Sequence, residues 1–252
     1  MIPNPIHKAL SILKSSNARF LLMGGQACVL YGAAEFSRDL DLTVGMDTEN
    51  IEAVRRALER LDADVVFVPD LSIPALEKGH ACHFRCHAPG VEGLRIDLMA
   101  RMRGCQDFDG LWLRRTILDL AGIGEIGVLS LPDLVQAKKT QRDKDWPMIR
   151  RLVEADYRQY RDNPSLAQLR FWLLECRTPA FLVELAGRFP QECATRQEQR
   201  GLLRVALQGD QPALEIALRQ EEEKERQADK AYWAPLREEL EKWRRAKRGE
   251  RA

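Results

Sequence analysis

Apolar positions along the first half of the chain fall into two alternating rhythms. Pro5 to Ser16 sets Ile6, Ala9, Leu10 and Leu13 at helical spacing, which predicts an amphipathic helix. Phe20 to Met23 is a short apolar run fit for a buried strand, and Gly24-Gly25 follow it directly. Gln26 to Ala34 returns to helical spacing and ends near Gly32. Leu40 and Leu42 then alternate with Asp39 and Asp41, the period-two pattern of a strand with one polar face. Asp47 or Thr48 can cap a helix running to about Leu61, with Ile51, Val54, Ala57, Leu58 and Leu61 facing inward. Asp64 to Val68 is a β-branched strand, and Pro74 to Lys78 a short helix. Gly79 to Ala88 is extended, and the turn from Pro89 to Gly93 folds it back on a strand at Leu94 to Met99. Thr116 to Val128 holds two further extended pieces around Gly122 and Gly124.

From Leu131 onward the rhythm is helical. Leu131 to Lys139 starts one helix, with Ser130 as its cap and Pro132 in its first turn. Asp145 to Tyr157, Ser165 to Cys176, Pro179 to Phe189, Gln191 to Leu207 and Gln211 to Arg248 supply the rest. The predicted class is α+β. A small mixed β-sheet core with flanking helices spans residues 1–130, and an all-helical C-terminal region spans 131–252.

Composition narrows the function classes. The 252 residues suit one large or two modest domains, and 45% hydrophobic residues are enough for a real core. Charged residues make up 31% yet balance to a net +1, so any nucleic-acid surface must be local. No stretch approaches a membrane span, and residues 1–16 lack the apolar region of a signal peptide. The expected location is the cytoplasm. Six scattered cysteines fit reduced thiols there.

Candidate chemistry gathers around the glycines. Asp39 and Asp41 on one strand face repel each other, and a cation between them relieves the repulsion. Paired glycines before a helix let backbone approach a phosphate, and the helix N-terminus offers it N–H groups. Alone, a Gly-Gly is usually a turn, and an Asp-x-Asp usually a solvated edge. In the order strand, Gly-Gly, helix, Asp-x-Asp strand, they predict a nucleotide–metal site. Two metals need more ligands than two side chains provide, which calls for a third carboxylate. Asp97, between Ile96 and Leu98 on a second short strand, answers that need.

Gly24-Gly25, Asp39-x-Asp41 and Asp97 resemble the active-site motifs of the DNA polymerase β-like nucleotidyltransferase superfamily, across well over half of the chain. With Arg38 just ahead of the acidic pair, the pattern is most similar to the abortive-infection (AbiEii-like) toxin branch. Many superfamily members carry Ser after the glycines, where this chain has Gln26. The resemblance implies an NTP donor and Mg²⁺ held by Asp39, Asp41 and Asp97, with Asp97 as the base or metal-tuned proton acceptor. Gly24, Gly25, Gln26 and Arg38 would line the nucleotide. NMP would pass to an acceptor hydroxyl, with pyrophosphate leaving. It implies RNA as acceptor, such as a tRNA 3′ end, a toxin role and a cognate antitoxin. The alternatives are a transferase acting on a protein or small-molecule hydroxyl, and a non-catalytic nucleotide-binding module.

Other constellations are weighed beside this one. On a helix, Lys138 and Arg142 share a face and could offset triphosphate charge, although such runs are commonly solvated. A Lys helix followed by Arg-x-Lys-Asp, ending here at Asp145, is similar to the segment that helps hold nucleotide in AbiEii-like proteins. That places Lys138 and Arg142 in the nucleotide-binding set. Arg38 suits a pairing with a carboxylate as well as a contact with substrate. Arg101 and Arg103 follow the Asp97 strand on a loop, where arginines are commonly just solvated. His80 to His87 holds three of the four histidines and two of the six cysteines. On a strand, however, Cys82 and Cys86 would be ~13 Å apart, which argues against one tetrahedral zinc. The basic tail from Lys242 to Arg251, with Trp243, fits either RNA binding or an ordinary charged helix end.

Overall fold

The computed structural model describes residues 4–249, and side chains as far as residue 246. The first elements follow from the apolar pattern. Helix α1 (Asn4–Ser15) buries Ile6, Ala9, Leu10 and Leu13, and strand β1 (Phe20–Met23) is buried at every position. Helix α2 (Gly24–Leu30) starts at the first glycine rather than beyond the pair. It stops before Gly32, whose φ of +73° ends the helical path.

Strand β2 (Leu40–Val44) buries Leu40 and Leu42 as expected. Asp39 does not share that strand with Asp41, because it lies in the bend ahead of it. The cause is pairing: the ladder to β1 ends at Met23 opposite Asp41, where α2 leaves the sheet. Helix α3 (Thr48–Arg60) is capped by Asp47, whose Oδ1 accepts from the Asn50 N–H at 2.8 Å. Strand β3 (Ala63–Phe67), helix α4 (Ile73–Lys78), strand β4 (Cys82–Cys86) and strand β5 (Arg95–Met99) occupy the segments expected of them. Helix α5 (Phe108–Leu113) was not foreseen; Asp107 caps it, and Phe108 and Leu111 are buried. Strands β6 (Thr116–Leu120) and β7 (Gly124–Val128) form a hairpin.

Seven helices complete the described residues: α6 (Leu131–Ala137), α7 (Asp145–Tyr160), α8 (Leu166–Glu175), α9 (Pro179–Arg188), α10 (Pro190–Thr195), α11 (Leu203–Leu207) and α12 (Gln211–Gly249). Two expectations fail here. Helix α6 ends before Lys138, so Lys138 and Arg142 share no helix face. Side-chain bonds to Asp145 organise that stretch instead and compete with helix formation. The single helix expected over Gln191 to Leu207 is split into α10 and α11. In the turn between them, Arg200 is buried and donates to Leu173 O at 3.0 Å and to both Glu221 oxygens at 2.9 and 2.7 Å.

The strands form one mixed sheet in the order β3-β4-β5-β2-β1-β7-β6. The β2–β5 and β1–β7 pairs are parallel, and the others antiparallel. Leu21, Leu22, Leu40, Leu42, Ile96 and Leu98, on the middle strands, are fully buried. Outer strands β3 and β6 are largely exposed, as suits sheet edges. The chain divides into two compact units, Met1–Ala137 with Ala231–Ala252, and Lys138–Lys230. Among the described residues no helix is long and apolar enough to cross a membrane.

Candidate active site

The parallel register of β2 and β5 sets Asp41 directly beside Asp97. In-register neighbours of a parallel pair face the same way, so Leu40, Leu42, Ile96 and Leu98 enter the core while the two carboxylates share the opposite face. Both are half-buried. Asp41 is also the last β2 residue opposite β1, which brings it against the glycines.

Gly24 has a φ of +63°, and a Cβ there would lie 1.9 Å from Asp41 Oδ2. A side chain at Gly25 would meet Ser37 Oγ at 2.3 Å. The Gly25 N–H donates to Asp41 Oδ2 at 3.3 Å. The twin glycines therefore admit a carboxylate and the Ser37 turn, besides leaving backbone open to a ligand. Gln26 is buried, and its Nε2 donates to Ser37 O at 2.7 Å, anchoring the turn that leads to Arg38 and Asp39. Gln26 Oε1 is buried without a hydrogen-bond partner. Arg38 is exposed, its guanidinium 6.0 Å from the Phe36 ring centre. Asp39 is exposed beside it.

Asp97 is held from two sides. The antiparallel register of β4 and β5 sets His83 opposite Asp97. Arg95, two residues earlier on β5, lies on the same face. His83 Nδ1 and Arg95 Nε both lie 2.8 Å from Asp97 Oδ1. Burial pushes the Asp97 carboxyl upward, but the bonds from His83 and Arg95 outweigh it and hold the group below the ordinary carboxylate range. Arg95 is held charged chiefly by its bond to Asp97, with Asp39 and Asp41 adding attraction. Arg95 Nη2 lies 3.1 Å from His83 Nδ1. One ring nitrogen cannot donate to Asp97 and accept from Arg95 at once, so the tautomer selects the partner.

Arg95 and His83 are absent from the residues expected from sequence. Arg95 had a readable signal, since positions two apart on a strand share a face. His83 needed the hairpin register. It also takes His83 away from the zinc arrangement considered for this segment: His80 Nε2 lies 2.9 Å from Glu239, and His87 Nε2 lies 3.4 Å from Asp64.

A carboxylate pair is a hard-cation donor set. Asp97, Asp39 and Asp41 all attract the Arg95 guanidinium. The residues thus fit a divalent ion in donor chemistry and charge. Among the described residues, however, no three His, Cys, Asp or Glu side chains are gathered ready to hold one.

Lys138, Arg142 and Asp145 lie in the second compact unit and form a cluster of their own. Asp145 Oδ1 is 3.3 Å from Lys138 Nζ, and its Oδ2 accepts from Thr140 Oγ1 at 2.6 Å and Arg142 Nε at 2.7 Å. Lys138 is buried, while Arg142 is exposed. Burial works against the Asp145 charge, but Lys138, Thr140 and Arg142 prevail and hold its carboxyl below the ordinary range.

No protein-family profile and no curated protein matches the chain. Among solved structures it is similar to a crystal structure from H. pylori provisionally described as a nucleotidyltransferase. The two share 14% identity with a TM-score of 0.41, over 87% of this chain and 92% of that one.

Proposed function

We propose that the protein is a Mg²⁺-dependent nucleotidyltransferase that passes NMP from an NTP to an acceptor hydroxyl. The acceptor proposed is RNA, such as a tRNA 3′ end, in a toxin of the toxin–antitoxin or abortive-infection type. One observation carries the reading: Asp41 and Asp97 stand side by side on adjacent parallel strands, with Gly24 pressed against Asp41. Two of the three carboxylates that the motif resemblance requires are thus neighbours, and Asp39 lies in the exposed bend ahead of them. The domain reading proposed with it is a nucleotidyltransferase core over residues 1–130 followed by a helical domain over 131–252.

Asp39, Asp41 and Asp97 would hold the divalent ions. Bound there, the metal neutralises triphosphate charge and favours the ionised acceptor hydroxyl. Gly24 and Gly25 keep side chains away from the phosphates, and the Gly25 N–H can exchange its carboxylate for a phosphate oxygen. Asp97 would serve as an anionic ligand and as the base or metal-tuned acceptor of the hydroxyl proton. Lys138 and Arg142 are proposed at the nucleotide on the strength of the motif alone.

The test is incubation with α-labelled NTPs, Mg²⁺ and either total tRNA or cell lysate. Label should enter RNA with the native chain and disappear with Asp41→Ala, whose circular dichroism should match the native spectrum. Label on protein or a small molecule would support the other acceptor class. No label anywhere, with NTP still bound, would leave a nucleotide-binding module; full activity in Asp41→Ala would refute the metal assignment.

A further inference from the structure

We propose that Arg95 is an internal counter-cation that occupies the charge position of the carboxylate cluster and must withdraw before a divalent ion can enter. This rests on the nucleotidyltransferase reading above and adds a positioning residue to it. Three observations carry the assignment.

First, Arg95 Nε donates to Asp97 Oδ1 at 2.8 Å, so an oxygen needed by a metal is already engaged. The Arg95 side chain is 34% exposed and that of Asp97 21%, which makes this a sheltered pair rather than a surface one. Second, Asp97 stands in register beside Asp41 on the adjacent parallel strand, so the guanidinium on Asp97 sits where two carboxylates are neighbours. A divalent ion arriving beside it meets like charge and a carboxylate oxygen already bonded. Third, His83 Nδ1 lies against the same Asp97 oxygen and 3.1 Å from Arg95 Nη2. When Arg95 withdraws, the imidazole remains as a hydrogen-bond partner for Asp97.

The fork geometry of a guanidinium matches phosphate as well as carboxylate. A polyphosphate is therefore the natural partner to draw Arg95 off Asp97. Filling of the site by metal and filling by triphosphate become coupled, each making the other easier. A purely structural ion pair along one strand would have neither property.

The test is direct Mn²⁺ binding to the full chain without nucleotide, read by the electron paramagnetic resonance signal of free Mn²⁺. Arg95→Gln should bind Mn²⁺ about tenfold tighter or more than the native chain. Asp97→Asn in the same background should abolish the gain. Should Arg95→Gln fail to fold, Arg95→Lys carries the test. It retains the charge but lacks the Nε–H on Asp97, and should still tighten binding by roughly threefold. Equal or weaker Mn²⁺ binding in the folded variant, with the native chain binding normally, overturns the Arg95 proposal and leaves the transferase reading standing. Absence of Mn²⁺ binding from native chain and variant alike overturns both.

Discussion

Gly24 shows how little room a site of this kind leaves. Its Cβ would fall 1.9 Å from Asp41 Oδ2, and its backbone sits at a φ of +63° that L side chains rarely adopt. Gly24→Ala should therefore cost about 1–3 kcal/mol of stability, read from urea unfolding. It should also displace the Asp41 carboxylate and weaken Mn²⁺ binding, a loss that stability alone would not produce. At this scale the sequence was informative about which residues matter and less so about why. Asp41 stands beside Asp97 with Gly24 against it, while Asp39 lies off the strand in the exposed bend. The glycines were legible as permissive backbone, but the closest neighbour of Gly24 is a carboxylate, which only the register of β1 with β2 reveals. Arg95 was legible from its place two residues before Asp97 on one strand, whereas His83 needed the register of β4 with β5.

Elements were legible wherever apolar spacing was regular. The inner face expected of α3 is the one buried, and β1 has the expected limits. Legibility failed where side chains compete with backbone pairing. The stretch from Lys138 to Lys144 has helix-forming composition, yet Asp145 gathers Lys138, Thr140 and Arg142 and bends it into a connection between α6 and α7. Asp145 is 4% exposed, so removing its charge leaves a buried lysine uncompensated. Asp145→Asn should lower stability by about 3 kcal/mol at pH 7. The sign with pH follows from its depressed carboxyl. Between the folded and unfolded values the unfolded chain binds the extra proton, so stability rises with pH across that window. The stabilisation is complete above the ordinary carboxylate value of about 4 and is lost as pH falls through the lower folded value. Denaturation curves of native chain and variant should differ most above pH 4 and converge in stronger acid. A gap that stayed constant down to pH 2 would assign Asp145 no such role.

At the scale of the whole molecule, strand and helix content could be read from pattern, but strand order could not. Nothing local tells β5 to pair with β2 across the intervening hairpin partner, or β7 to lie beside β1. The basic tail was ambiguous for the same reason. Trp243 lies 4.7 Å from the His80 ring, and Glu239 accepts from Lys78, so this part of α12 packs within the first unit. Residues 250–252 of the tail lie outside the described residues. A chain ending at residue 230 should lose its cover over His80, and the melting temperature of the first unit should drop by roughly 4 °C or more. Unchanged melting would show the contact to be incidental.

That cover has a consequence for synthesis. His80 is 1% exposed, and its partners Glu239 and Trp243 stand more than 150 positions later in the chain. At about 5–20 residues per second a ribosome needs on the order of ten seconds or more to cross that span. Through that interval the nascent first unit carries an open patch at His80 and Lys78. A holding chaperone should find this protein during translation and release it only as α12 emerges.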